Sequence, residues 1–306
     1  MLACFWKLLA LCLVLAILAS ALAAQECGRR NVDGITFADT PVNGSDGRSR
    51  YGEFSWMVVV LKMVKANDQD INLYQCGGSL THPAVVLTAA HCIDGNSTKA
   101  ELKVRLGEWD TQNRKEIYDH QDRYVVEIAT HGEFNRVELT YDVALLFLDR
   151  PVELMDTVNT ICLPPADHNF DFSRCFASGW GKDVLGPLGA YQTIQKKIEL
   201  SVVSRERCEM ALRKTHLGYR FQLPSSFICA GGEKGRDMCR GDGGSPLVCP
   251  IPGSDNYFYQ AGIVVWGIGC GEDGVPGVYA NVAMFRGWID DQFHHRNINR
   301  SYYLHS

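Results

Sequence analysis

An all-β architecture closed by one helix is what this 306-residue chain predicts. Three observations carry the prediction: short apolar runs of strand length, turn residues between them, and one terminal stretch at helical spacing. The runs cover 55–61, 85–87, 124–128, 143–148, 198–203 and 261–266, each rich in β-branched or aromatic residues. Near the end, Val282, Phe285, Trp288, Ile289 and Phe293 recur at the spacing of a helix packed on a core. About 240 residues of this kind fit one large β domain or two fused barrels, and periodicity does not choose between them.

Residues 1–23 read as a secretory signal peptide: Lys7, an apolar run from Leu8 to Leu18, then the small-residue ending Ala21-Leu22-Ala23. A membrane anchor is the competing reading, but the run falls short of the roughly 20 residues a bilayer needs. The expectation is a secreted, extracellular protein. Residues 24–50 are polar, rich in Gly, Asp, Asn and Arg, and read as a leader segment. Residues 51–293 hold the β runs and the helix, and 294–306 read as a polar tail.

Of twelve cysteines, Cys4 and Cys12 lie in the signal peptide. The other ten, Cys27, Cys76, Cys92, Cys162, Cys175, Cys208, Cys229, Cys239, Cys249 and Cys270, are an even number in a secreted chain, which implies disulfides. The cysteine count leaves the pairing open. No Cys-x-x-Cys or paired-His spacing accompanies them, so zinc is not expected. A net charge of −5, with both signs interspersed, argues against a nucleic-acid partner. Sequons at Asn43, Asn96 and Asn299 suit an extracellular glycoprotein.

Three motifs carry the chemistry. Thr88-Ala-Ala-His-Cys92 places a histidine, Tyr141-Asp-Val-Ala-Leu-Leu146 an aspartate, and Cys239-Arg-Gly-Asp-Gly-Gly-Ser-Pro246 a glycine-rich loop. Together with Ile161-Cys-Leu-Pro164, Gly179-Trp-Gly181, Trp266-Gly267 and Pro276-Gly-Val-Tyr279, they resemble the chymotrypsin-like, trypsin-type serine protease family over residues 51–293. The resemblance implies two six-stranded antiparallel β-barrels with a cleft between them and a C-terminal α-helix. It implies His91 as the general base, Asp142 as the group that orients it, and residue 243 as the nucleophile's position. It further implies the pairs Cys76–Cys92, Cys175–Cys249, Cys208–Cys229 and Cys239–Cys270, with Cys27 tethering the leader to Cys162. Asp237, Gly267 and Gly277 match the floor and walls of a pocket for an Arg or Lys side chain.

The departures are as informative. The family writes its loop Gly-Asp-Ser-Gly-Gly-Pro, and here Gly243 stands where the serine belongs. A hydrogen atom cannot attack a carbonyl, and removing such a nucleophile costs on the order of 10⁶ in turnover. Ser245 carries a hydroxyl two residues on, but side-chain direction changes with every residue. Val265 replaces a serine that in the family bonds the buried aspartate. Activation in the family cuts after Arg or Lys ahead of a new amino terminus that reaches the residue matching Asp242. The corresponding stretch here, Thr40-Pro-Val-Asn-Gly44, has no basic residue before it, and a cut after Arg48 or Arg50 would leave too short a strand.

The reading is a catalytically inactive homologue, similar to the arthropod masquerade-like and prophenoloxidase-activating cofactor group, but without the clip domain common there. It implies a non-catalytic cofactor, regulator or decoy in an extracellular cascade of the immune, melanisation type, its partners being proteases or zymogens. Alternatives are an adhesive or reproductive-fluid binding protein and a weak protease using Ser245. His91 and Asp142 then persist as a hydrogen-bonded pair, and the Asp237 pocket either still takes a partner's cation or has collapsed. No cofactor is expected; calcium at Glu108, Glu116 and Asp119, in a loop resembling the family's calcium loop, competes with a solvated acidic turn. His294-His295 reads as an exposed pair, and Arg240-Gly-Asp242 as a chance match to an integrin-binding tripeptide.

Overall fold

The computed structural model describes residues 26–35, 47–66, 69–93, 101–112, 116–182 and 189–305. The signal-peptide stretch 1–23, the segment 40–44 and the sequons at Asn43 and Asn96 lie outside them.

Twelve strands close into two antiparallel barrels. The first contains β1 (Met57–Ala66), β2 (Gln69–His82), β3 (Val85–Thr88), β4 (Leu102–Leu106), β5 (Gln121–Thr130) and β6 (Ala144–Leu148), ordered β1-β2-β3-β6-β5-β4. Its seam is β1 against β4, with Val60 opposite Val104. The second contains β7 (Arg174–Gly179), β8 (Lys196–Val203), β9 (Phe227–Gly231), β10 (Pro246–Pro250), β11 (Phe258–Trp266) and β12 (Pro276–Asn281), ordered β10-β11-β12-β9-β8-β7. Closure removes unpaired edges, and each strand sends alternate residues inward. In β4, Leu102, Val104 and Leu106 are buried while Lys103 and Arg105 are not; β6 is buried throughout because neighbours cover both its faces.

Helix α1 (Arg205–Arg213), absent from the sequence reading, is nine residues long and buries only Cys208 and Leu212, too little for a periodic signal. Helix α2 (Val282–His295) packs Phe285, Ile289 and Phe293 on the core. The chain does not leave the fold there. A 3₁₀ turn at Arg300–Tyr303 brings back Tyr303, fully buried, its hydroxyl donating to Asp290 at 2.6 Å. Thr160 donates to the Tyr302 carbonyl at 2.6 Å, so much of the stretch read as a polar tail is packed.

Five disulfides join Cys27 to Cys162, Cys76 to Cys92, Cys175 to Cys249, Cys208 to Cys229 and Cys239 to Cys270. Cys27 thus pins the leader, whose Arg30 reaches the fully buried Glu53 through Nε at 3.0 Å and Nη2 at 2.5 Å. Glu53 also accepts from Lys197 Nζ at 2.8 Å and from the Arg50 N–H at 2.8 Å. No helix among the described residues is long and apolar enough to cross a membrane.

Candidate functional site

His91 sits on a 3₁₀ turn, Ala90–Cys92, directly after β3, with Ala90 and Cys92 buried beneath it. The Cys76–Cys92 bridge ties that turn to β2. Asp142 comes from the turn before β6 and is fully buried. One of its oxygens accepts the His91 backbone N–H at 2.7 Å, and the other lies 2.5 Å from Nδ1 of the ring. Both oxygens are therefore partnered, although Val265 offers no hydroxyl and packs in the core instead. The turn carrying Asp142 is strained: Leu139 and Tyr141 hold φ of 55° and 54°, costly for bulky side chains. His131 stacks on the Tyr141 ring at 5.1 Å, and Phe285 meets it edge-on, which holds the turn in place.

Residue 243 faces His91. A Cβ built on Gly243 would fall 2.7 Å from Nε2, so the ring occupies space that any side chain there would need. The Gly243 carbonyl accepts the Gly77 N–H at 2.8 Å, joining the loop to the first barrel. Ser245 does not take the missing role. It is fully buried, its hydroxyl has no hydrogen-bond partner within the protein, and a Cβ on Gly77 would fall 2.0 Å from its Oγ.

Beside this pair opens a cavity of about 360 Å³ lined by His91, Asp237, Gly243, Trp266, Gly267 and Gly277, among others. A Cβ on Gly277 would stand 3.0 Å from an Asp237 oxygen and one on Gly267 3.9 Å from the other, so glycine at both positions leaves the carboxylate accessible. Burial pushes the Asp237 carboxyl up to about 6, while the Gly271 and Met238 N–H groups pull it back. Tyr279 also lines the cavity, and its buried hydroxyl has no partner within the protein. The arrangement suits a cationic side chain, which would ionise Asp237 fully.

Sequence reasoning missed Lys196. Its Nζ lies 2.7 Å from the fully buried Asp242, whose oxygens also accept N–H groups from Gly181 and Cys239 at 2.8 and 2.9 Å. In the sequence it is only the first of two adjacent lysines, Lys196-Lys197, at a strand start. The burial of Asp242 also removes the Arg240-Gly-Asp242 tripeptide from surface recognition.

The acidic loop is held by protein donors. Glu108 is paired with Arg105 at 3.2 Å, and Glu116 accepts from Trp109 and Asp110 N–H groups at 3.2 and 2.8 Å. Among the described residues, Glu108, Glu116 and Asp119 do not converge as three ligands; the one such group, Cys76, His91 and Cys92, includes a disulfide and offers no thiolate. Burial, aided by Glu108, pushes the Glu116 carboxyl up to about 7. A carboxyl raised on folding favours the folded state fully below 4.5 and loses that contribution as pH rises through about 7. Asp237 adds the same sign up to about 6. The melting temperature is therefore expected to fall between about pH 4 and pH 7, and Glu116→Gln to flatten the upper part of that fall; an unchanged slope would remove Glu116 from the account.

Asn299 is exposed at the start of the final 3₁₀ turn, its Oδ1 accepting from Ser301 N–H. His294 and His295 are exposed.

Residues 42–289 match the family described as Trypsin. The chain is 53% identical to Phenoloxidase-activating factor 2 of Galleria mellonella over 285 residues, 91% of this chain and 92% of that protein. It is 37% identical to Inactive CLIP domain-containing serine protease A28 of Anopheles gambiae, covering 90% of this chain and 70% of that one. Protein masquerade of Drosophila melanogaster is 36% identical over 81% of this chain and 22% of its own length. With the two barrels, the His91–Asp142 pair and the cleft in place, the chain belongs to the trypsin family, among relatives that include phenoloxidase-activating factors and inactive serine protease homologues of arthropods.

Proposed function

We propose that the protein is a secreted, non-catalytic serine protease homologue that acts by binding, as a cofactor, regulator or decoy in an extracellular protease cascade of the immune, melanisation type. The observation that carries this reading is an ordered base and aspartate facing a glycine: His91 and Asp142 are hydrogen-bonded as a catalytic pair would be, and the residue against Nε2 has no side chain. A protease working through Ser245 finds no support in a buried hydroxyl. The names of the relatives support the cascade, and the cavity floored by Asp237 supports recognition of an Arg or Lys side chain on a protease or zymogen. Calcium has no part in this reading.

The test is a reconstituted mixture of a prophenoloxidase and its activating protease, with and without the purified protein. The protein is expected to change the yield of active phenoloxidase while cutting nothing itself, and Asp237→Asn to weaken that effect. An identical yield with and without the protein would reject the cascade role.

A further inference from the structure

A buried carboxylate beside the cavity is neutralised from within the chain. Asp242 has no exposed surface, and its charge is met by Lys196 Nζ at 2.7 Å and by the N–H groups of Gly181 and Cys239. Lys196 is itself largely buried, 16% exposed, and donates to the Lys182 carbonyl at 3.0 Å. A carboxylate taken out of water is unfavourable unless charge and hydrogen bonds compensate it, so the place of Lys196 decides where Asp242 points.

Asp242 in turn sets the loop. Its N–H donates to the Cys239 carbonyl and its carbonyl accepts from Ser245 N–H, both at 3.0 Å, which defines the turn that carries Gly243. Cys239 is bridged to Cys270, and Asp237 accepts from Gly271 N–H at 3.3 Å. Both walls of the cavity are thereby linked to the one ammonium. Lys196 is anchored by the segment that precedes β1: Arg48 pairs with it in an antiparallel bridge, Lys197 N–H donates to Gly47 at 2.8 Å, and Ser49 N–H donates to Gln195 at 2.8 Å. Lys197, pointing to the opposite face of the strand, neutralises Glu53.

We propose that Lys196 is a positioning residue, an internal ammonium that keeps the Asp237 pocket assembled in the uncut chain and ready for a guanidinium or ammonium side chain of a protein partner. The proposal rests on the binding role of that pocket given above. No newly cut amino terminus is needed, because β8 already supplies the compensating charge.

The experiment titrates the uncut secreted protein with p-aminobenzamidine, an arylamidine, and follows hydrogen exchange of residues 237–245. Wild type is expected to bind the probe and Asp237→Asn to lose binding. In Lys196→Met the assembled fraction should drop to about a tenth, raising the apparent Kd roughly tenfold, with faster exchange confined to 237–245, while Lys196→Arg restores binding. Lys196→Met leaves a buried charge unpaired, so the double variant Lys196→Met/Asp242→Asn, which removes both charges, serves if the single one melts. It should match wild type in melting temperature and still bind weakly. Wild-type affinity in Lys196→Met, or in the double variant where that is used, would overturn the positioning role and leave the pocket standing. Failure of wild type to bind would overturn the pocket reading and the proposal with it.

Discussion

Purified protein is expected to leave Arg-linked peptide amides uncut and to take up no serine-directed fluorophosphonate, whereas a Gly243→Ser variant is expected to be labelled. Without an Oγ at 243 no acyl intermediate forms, and the loss is on the order of 10⁶ in turnover. The variant restores the hydroxyl within reach of a base that is already oriented by Asp142. Its turnover should nevertheless stay far below that of an intact triad. The new Cβ would lie 2.7 Å from Nε2, and His91 can withdraw only by loosening the 2.5 Å contact that fixes its tautomer. Labelling of wild type would refute the pseudoenzyme reading. An unlabelled but folded variant would mean that His91 and Asp142 no longer form a usable pair.

Glu53→Ala is expected to destabilise the fold by about 3 kcal/mol, read as a shift in urea midpoint at constant slope. Glu53 is fully buried and has three kinds of donor: Arg30 from the leader, Lys197 from β8 and the Arg50 backbone. Truncation strands two largely buried cations, which costs more than the intact cluster contributes. Glu53→Gln keeps the shape and two acceptor contacts, so its effect should be smaller. Proteolysis near 26–35 should rise in step, because Arg30 loses its anchor while Cys27 stays bridged to Cys162. A midpoint shift within error would show that the cluster contributes nothing net.

Legibility in the sequence followed local chemistry. The runs at 55–61, 85–87, 124–128, 143–148, 198–203 and 261–266 all lie within or overlap observed strands; most are buried on one or both faces, whereas in 124–128 only Val125 is buried and the β-branched and aromatic residues alone marked the strand. Strands β2, β4, β7, β9, β10 and β12 lie outside those runs, and for three of them the reason is local. β2 is polar and exposed over its first half, with a Gly-Gly pair in its buried half. Proline brackets β10, and Pro-Gly opens β12; such residues read as turns until a neighbouring strand supplies partners. Tyr303 was lost in a polar stretch because burial of a single aromatic has no period.

The candidate site divides in the same way. The chain order of His91, Asp142 and residue 243 and the absence of a side chain at 243 are properties of the sequence alone, since a glycine can supply no nucleophile in any conformation. The sequence also determined the charge balance, the cysteine count and the β class, which depend on composition and short-range pattern. What the tertiary structure decided is every relation across distance: which cysteines meet, that Ser245 is buried with its hydroxyl near Gly77, that the Asp237 carboxylate faces an accessible cavity, and that Lys196 lies against Asp242. These depend on how two closed barrels bring strands far apart in the chain within a few ångströms, and a buried charge finds its partner there by burial and geometry, which leave no mark on local sequence.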